Sequence, residues 1–99
     1  MSETVLQRTK HYSLVMNSTV ARVKKLVPCE YYTYNESDSV GYSIPVMLPD
    51  ISVQRNSNNE LIFLPGVPES KDADAKARAF KEVTLECQFL ASVAKLFNL

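Results

Sequence analysis

The sequence predicts an α+β domain that works as a dimer, with an antiparallel β meander followed by one long C-terminal helix. Three observations predict it. Several segments before residue 69 have the composition or the period-two alternation of β-strands. Residues 70–99 contain no glycine or proline and have helical periodicity. This helix carries apolar residues on two sides, which one monomeric domain does not require.

The 99 residues are expected to form a single domain, with a β-sheet portion over residues 1–68 and a helix over residues 70–98. Residues 3–16 have a strand-like composition. Asn17 and Ser18 form a plausible turn, so a second strand over residues 19–27 is expected to complete a hairpin.

The middle of the chain contains four further predicted strands. Residues 31–34 have strand propensity, and a polar turn over residues 35–39 separates them from a strand over residues 40–48. That strand places five apolar residues on one face: Val40, Tyr42, Ile44, Val46 and Leu48. Pro45 lacks an amide hydrogen, which predicts a sheet edge or a bulge there. Two short strands are expected over residues 51–55 and 61–64.

Either Ser70 or Asp72 is expected to cap the start of the helix, since both have a short side-chain oxygen that accepts from first-turn amides. At 100° per residue, seven residues form one apolar arc: Phe80, Val83, Cys87, Leu90, Ala91, Ala94 and Phe97. A second apolar stripe lies on roughly the opposite side of the helix: Leu85, Phe89, Val93 and Leu96.

The second stripe has two explanations. Its four residues either pack under loops of the same chain or form an oligomer interface. Leaving one such side chain in water forgoes about 1.5–3 kcal/mol, so four approach the whole stability of a small domain. We therefore expect an obligate oligomer, with one stripe packed on the chain's own sheet and the other on a second copy.

The composition is that of a globular protein, with 45% hydrophobic and 22% charged residues. No apolar run predicts a membrane span and no signal-peptide pattern begins the chain, so no membrane partner is expected. Cys29 and Cys87 belong to no ligand motif and are expected to be free thiols, and His11 is the only histidine. We expect no metal, no cofactor and no catalytic residue, hence no enzyme.

Charge is unevenly distributed along the chain. Residues 1–28 have a net charge of +4 and residues 29–70 a net charge of −5. Basic and aromatic side chains on strands together suggest a surface that holds phosphates and stacks bases. Five residues are the candidate nucleic-acid-binding residues: Arg22, Lys24, Lys25, Tyr32 and Tyr34. Arg8 and Lys10 are expected to lie beside them on the same face. The alternative is a solvated strand face with half-buried tyrosines.

Residues 60–65 read ELIFLP, a polar loop leads to Asp72, and the following helix contains the triplets Arg78-Ala79-Phe80 and Leu90-Ala91-Ser92. This order resembles the C-terminal part of the coat proteins of single-stranded RNA bacteriophages. The resemblance implies a dimer whose helices pack across a shared sheet, an icosahedral shell, and a sheet face that binds genomic RNA. The chain is shorter and has one terminal helix rather than a pair, so no RNA-binding residue is transferred from the family.

The sequence thus predicts a phage coat protein that dimerises through its sheet and C-terminal helix, assembles into a capsid and contacts RNA, in the virion and the host cytoplasm. Two alternatives remain open. One is a small phage- or plasmid-encoded inhibitor that binds a host protein complex, with the acidic middle of the chain (Glu30, Glu36, Asp38 and Asp50) meeting a basic partner. The other is a dimeric β-sheet regulator that binds nucleic acid.

Overall fold

The computed structural model describes residues 3–34 and 41–99. It confirms the predicted α+β class, with antiparallel strands followed by one C-terminal helix. The elements in chain order are β1 (Thr4–Arg8), β2 (Tyr12–Asn17), β3 (Val20–Lys25), β4 (Cys29–Tyr34), β5 (Tyr42–Met47), β6 (Ile51–Arg55), β7 (Leu61–Pro65) and α1 (Ala73–Leu96). Within the described residues the strands form three small sheets, β1–β2–β3, β4–β5 and β6–β7, rather than one continuous meander.

The segment 3–16, predicted as one strand, is instead two strands of the first sheet. The chain turns between β1 and β2, where the Thr9 amide donates to the Tyr12 carbonyl (2.8 Å). A bulge between Val5 and Gln7 then shifts the pairing, so that Arg8 lies opposite Ser13. The turn predicted at Asn17 and Ser18 joins β2 to β3, and Ser18 has a φ of 56° there.

The strands of the β4–β5 and β6–β7 hairpins lie close to the predicted strands. The predicted turn over residues 35–39 and Val40 lie outside the described residues. Pro45 pairs opposite Tyr31 in β4, and the other edge of β5 makes a bridge in which the Met47 amide donates to the Glu69 carbonyl (2.8 Å). In the β6–β7 turn, the side-chain oxygen of Asn56 accepts from the amides of Asn58 and Glu60. This local acceptor explains why a run of turn-forming residues closes the hairpin there.

Helix α1 begins after Asp72, whose carboxylate accepts from the Ala75 amide (2.9 Å) and serves as the N-cap. The Ser70 hydroxyl, the other candidate cap, donates to the Pro45 carbonyl instead. The helix is therefore shorter at both ends than the predicted 70–98, and it ends where the Phe97 amide donates to the Val93 carbonyl.

The buried face of α1 packs on two separate cores. In the main core, five strand and loop residues pack on five residues of α1 between positions 83 and 94: Tyr12, Leu14, Leu48, Ile51 and Phe63 against Val83, Cys87, Leu90, Val93 and Ala94. A smaller core joins Tyr32 and Val46 to Ala75 and Ala79. Phe80 and Phe97, which the helical pattern places in the buried arc, are 42% and 51% exposed. Phe80 therefore lies outside the buried face, and Phe97 follows the last residue of α1.

The molecule is elongated, with extents of 52 × 30 × 20 Å and a radius of gyration of 15.7 Å. A compact monomer of this length has a radius of gyration of about 13 Å. The chain consequently leaves more surface per residue in contact with solvent than a compact domain does. Among the residues that the structure describes, no helix has the length and hydropathy of a membrane-spanning segment.

Candidate interaction surfaces

The outward face of α1 carries three large apolar side chains, Leu85, Phe89 and Leu96, which are 55%, 48% and 84% exposed. The fourth residue of the predicted interface, Val93, is only 6% exposed and belongs to the main core. The reason is angular, because Val93 lies about 40° beyond Phe89 around the helix, towards the buried face. We call Leu85, Phe89, Ser92 and Leu96 the helix seam, because their spacing of four, three and four residues is that of helix–helix contacts.

Arg22 and Lys24 lie on the outward face of the β1–β2–β3 sheet. The strand register places Arg22 beside Val15, and places Lys24 and Arg8 on either side of Ser13. Ser13 is 4% exposed and Val15 2% exposed, although neither side chain faces the main core. We call Arg8, Arg22 and Lys24 the cationic face. Arg8 was predicted only as a neighbour of this surface, and the bulge that aligns it with Lys24 leaves no clear signal in the sequence.

An acidic residue pairs with one member of the cationic face. The Lys24 ammonium donates to the Glu3 carboxylate (2.5 Å), which removes part of its charge from the face. Arg22 has no ion-pair partner among the described residues.

Lys25 lies apart from the other two predicted basic residues. It pairs opposite Tyr12, on the face of the sheet that packs on the main core. Its ammonium donates to the Leu48 carbonyl (3.0 Å) and lies 3.2 Å from the Asp50 carboxylate. Lys25 therefore ties β3 to the chain between β5 and β6.

Tyr32 and Tyr34 lie on the inward face of β4, against α1. Tyr32 is 5% exposed, and its hydroxyl donates to the Glu82 carboxylate (3.0 Å). Burial, followed by that hydrogen bond, raises the pKa of Tyr32. The Tyr34 ring is half-buried and stacks on Tyr42 with a centroid distance of 5.6 Å. Tyr32 therefore holds β4 on α1, whereas Tyr34 packs against β5.

The alternation of β4 explains this placement. Tyr31 and Thr33 face outward, and Tyr31 is 61% exposed. A strand exposes every second residue, so a run of tyrosines divides between two environments. The sequence contains the alternation, but only the position of α1 decides which of the two faces is buried.

A cluster of charged residues surrounds His11, which is 1% exposed. Its Nδ1 lies 2.8 Å from Oε2 of Glu86 in α1, and its Nε2 lies 2.9 Å from Oε2 of Glu30 in β4. Oε1 of Glu86 accepts from the His11 amide (2.8 Å) and from the Thr9 hydroxyl (2.5 Å). Since both ring nitrogens face carboxylate oxygens, only the doubly protonated imidazolium can donate to both.

Two opposing effects set the pKa of His11 in this cluster. Burial lowers the pKa of His11, whereas the hydrogen bonds and charges of Glu86 and Glu30 raise it, and the net effect places it above the usual 6.5. The hydrogen bond to His11 lowers the pKa of Glu30 below 4.5. Sequence reasoning missed this cluster, because residues 11, 30 and 86 are far apart in the chain and match no motif.

The other side chains that could take part in binding or catalysis have structural roles. A cleft of about 760 Å³ is lined by Ile44, Pro45, Met47 and residues 69–72. Its Ser70 and Asp72 serve the fold through the contacts described above. Burial raises the pKa of the Cys87 thiol to about 11. In the described ranges 3–34 and 41–99, no three His, Cys, Asp or Glu side chains are grouped as a metal site requires.

The acidic residues of the middle of the chain do not gather on one described surface. Glu30 belongs to the His11 cluster, and Asp50 lies beside Lys25. Glu36 and Asp38 lie outside the described residues. Protein-family models, curated protein sequences and solved structures give no match to this chain.

Proposed function

We propose that the protein is a non-enzymatic coat subunit of a bacteriophage, which self-associates through α1, assembles into a shell and contacts RNA through its strands. It acts in the virion, after assembly in the host cytoplasm. The observation that carries this proposal is the helix seam, which places three exposed apolar side chains on the side of α1 that faces away from its own sheets. Exposed apolar rows on soluble proteins are typical of surfaces that another chain covers.

The energetics of the helix seam favour a second copy as its partner. From their exposed fractions, burying Leu85, Phe89 and Leu96 contributes roughly 4 kcal/mol per copy, or about 8 kcal/mol per pair. Association costs about 4–15 kcal/mol, so the seam supports a dimer only with help from neighbouring surface. Phe80 in α1 and Phe97 directly after its last residue are both about half exposed and supply further apolar surface for higher assembly.

The RNA contact is proposed for the cationic face. Arg8, Arg22 and Lys24 lie on the side of the β1–β2–β3 sheet that faces away from the main core. Self-association through the helix seam therefore leaves this face available. No aromatic ring of the predicted set lies beside these residues, so we expect contacts to phosphates and little preference for base sequence.

A dimeric β-sheet regulator that binds nucleic acid is the second candidate, since it would use the same two surfaces. Size-exclusion chromatography with light scattering, with the ratio of absorbance at 260 and 280 nm, separates the two functions. Megadalton particles that contain nucleic acid support the coat proposal. A dimer that binds nucleic acid without forming particles supports the regulator, and a dimer that binds none supports an inhibitor of a host protein.

The helix seam is tested with the double variant Leu85→Asp/Phe89→Asp. We expect it to be monomeric or insoluble, because two carboxylates would be buried in any helix–helix contact. Val67→Asp is the matched control, since Val67 is 66% exposed and lies outside α1. A double variant that keeps the wild-type molar mass would refute the proposed interface.

A further inference from the structure

The cluster of Glu30, His11 and Glu86 joins three elements that are separate in the fold. His11 lies in the corner between β1 and β2, Glu30 lies in β4, and Glu86 lies in α1. The two carboxylates contact opposite ring nitrogens at 2.8 and 2.9 Å. The imidazolium thus connects β4 to the helix through a group that solvent hardly reaches.

The β4–β5 hairpin depends on such polar contacts more than the other strands do. Its apolar support is the smaller core, in which the helix contributes Ala75 and Ala79. Alanine side chains bury little apolar area, whereas the β6–β7 hairpin packs on valine and leucine side chains of the main core. Segments with few buried apolar contacts open locally at a lower free energy than the whole domain.

The charged groups around His11 come from α1, from β4 and from its own corner between β1 and β2. Glu86 faces it from α1 and Glu30 from β4, and the Lys10 ammonium of its own corner lies 3.6 Å from the Glu30 carboxylate. Two carboxylates are therefore balanced by the imidazolium and Lys10. After loss of one ring proton, one nitrogen presents a lone pair to a carboxylate, and a donated hydrogen bond becomes a repulsion.

We propose that this cluster is a proton-operated latch for the β4–β5 hairpin. The hairpin is held on α1 while His11 carries both ring protons, and it opens locally once His11 loses one of them. The latch belongs to the single chain, so it does not depend on self-association or on RNA. Because β4–β5 packs on the N-terminal half of α1, opening exposes Tyr32, Val46, Ala75 and Ala79 to solvent.

Two measurements on the wild-type protein test the latch together. His11 is the only histidine, so its imidazole resonances in NMR report its proton without ambiguity. Amide hydrogen exchange of β4–β5, corrected for the intrinsic rate, reports local opening, and β7 serves as the internal reference. The opening constant of β4–β5 should be flat just below pH 6.5 and rise about tenfold per pH unit up to the pKa of folded His11.

Three results would overturn the proposal. The first is a β4–β5 opening constant that stays unchanged while His11 titrates. The second is a His11 pKa at or below 6.5. The third is a parallel loss of protection in β7, which would mean that the whole domain opens and that no separate latch exists. The wild-type titration decides between these outcomes without any variant.

Variants then assign the effect to the cluster. Glu30→Gln keeps the shape of the side chain and removes its charge, so the opening constant of β4–β5 at pH 7 should rise about tenfold or more. His11→Gln should remove the dependence on pH between 6.5 and 9. Glu60→Gln is the control, because Glu60 is an exposed carboxylate that lies 3.9 Å from Lys95 and far from the hairpin contacts.

Discussion

The guanidinium of Arg78 lies 5.2 Å from the centroid of the Tyr32 ring, so a helix residue covers a strand tyrosine whose hydroxyl bonds to the same helix. The same guanidinium lies 5.0 Å from the centroid of Tyr34. One cation thus stacks on two rings, and Tyr34 in turn stacks on Tyr42. This arrangement holds both strands of the β4–β5 hairpin on α1, and it leaves neither tyrosine available to a base.

Replacing Arg78 tests this stack. A cation over an aromatic ring contributes about 0.5–1 kcal/mol at a partly exposed site, so Arg78→Ala should lower the free energy of unfolding by about 1–2 kcal/mol. Urea denaturation measures the loss. Lys76→Ala, on the same helix and exposed, should change the free energy by less than about 0.5 kcal/mol. Equal effects of the two variants would show that the stack adds no stability.

Leu90 on the buried face of α1 and Leu96 on its exposed face form a matched pair. Leu90 is fully buried, so Leu90→Ala should lower the free energy of unfolding by about 2–5 kcal/mol. Leu96 is 84% exposed, so Leu96→Ala should have little effect on the monomer but should weaken self-association. Denaturation at low protein concentration measures the first effect, and sedimentation measures the second. Unchanged self-association of the Leu96→Ala variant would show that the helix seam is not an interface.

The N-cap offers a local test of helix stability. Asp72→Ala removes the acceptor for the Ala75 amide, and the loss of such a cap costs about 0.5–2 kcal/mol. Asp72→Asn keeps an acceptor oxygen and should recover most of the stability. The midpoint of urea unfolding measures both variants, and identical midpoints would mean that solvent satisfies the amide equally well.

The stability of the protein should have a maximum with pH. The pKa of Glu30 is lowered on folding, so its contribution is present above pH 4.5 and is lost as the pH falls through the folded value. The pKa of His11 is raised, so its contribution is present below pH 6.5 and is lost as the pH rises through the folded value. Urea unfolding from pH 3 to 9 should show both limbs, and His11→Gln should remove the alkaline one.

The salt dependence of RNA binding tests the cationic face. Suppose that Arg8, Arg22 and Lys24 each neutralise one phosphate of single-stranded RNA. The logarithm of the RNA association constant should then fall with the logarithm of the salt concentration, with a slope of about −2. Arg22→Ala should make that slope shallower by about 0.7. Lys25→Ala and Lys95→Ala should leave it unchanged, because neither residue lies on this face. A slope that responds equally to all three would place the RNA elsewhere.

Local patterns predicted most of the secondary structure. The alternation of Tyr42, Ile44, Val46 and Leu48, the turn-forming residues before β7 and the periodicity of α1 depend on neighbours a few residues apart. The break between β1 and β2 was missed, because it depends on a corner whose polar groups are satisfied partly by Glu86, far along the chain. The three separate sheets were missed as well, since strand propensity does not determine which edges pair.

The candidate sites were likewise predicted from the sequence only in part. The sequence by itself determined that α1 has two apolar sides and that the first third of the chain is basic, because composition and angular spacing require no partner. Only the tertiary structure decided that Lys25 bonds to Leu48, that the Tyr32 ring is covered by Arg78, and that His11 lies between Glu30 and Glu86. Those contacts join residues distant in sequence, and their free energy exists only once the sheets have packed on the helix.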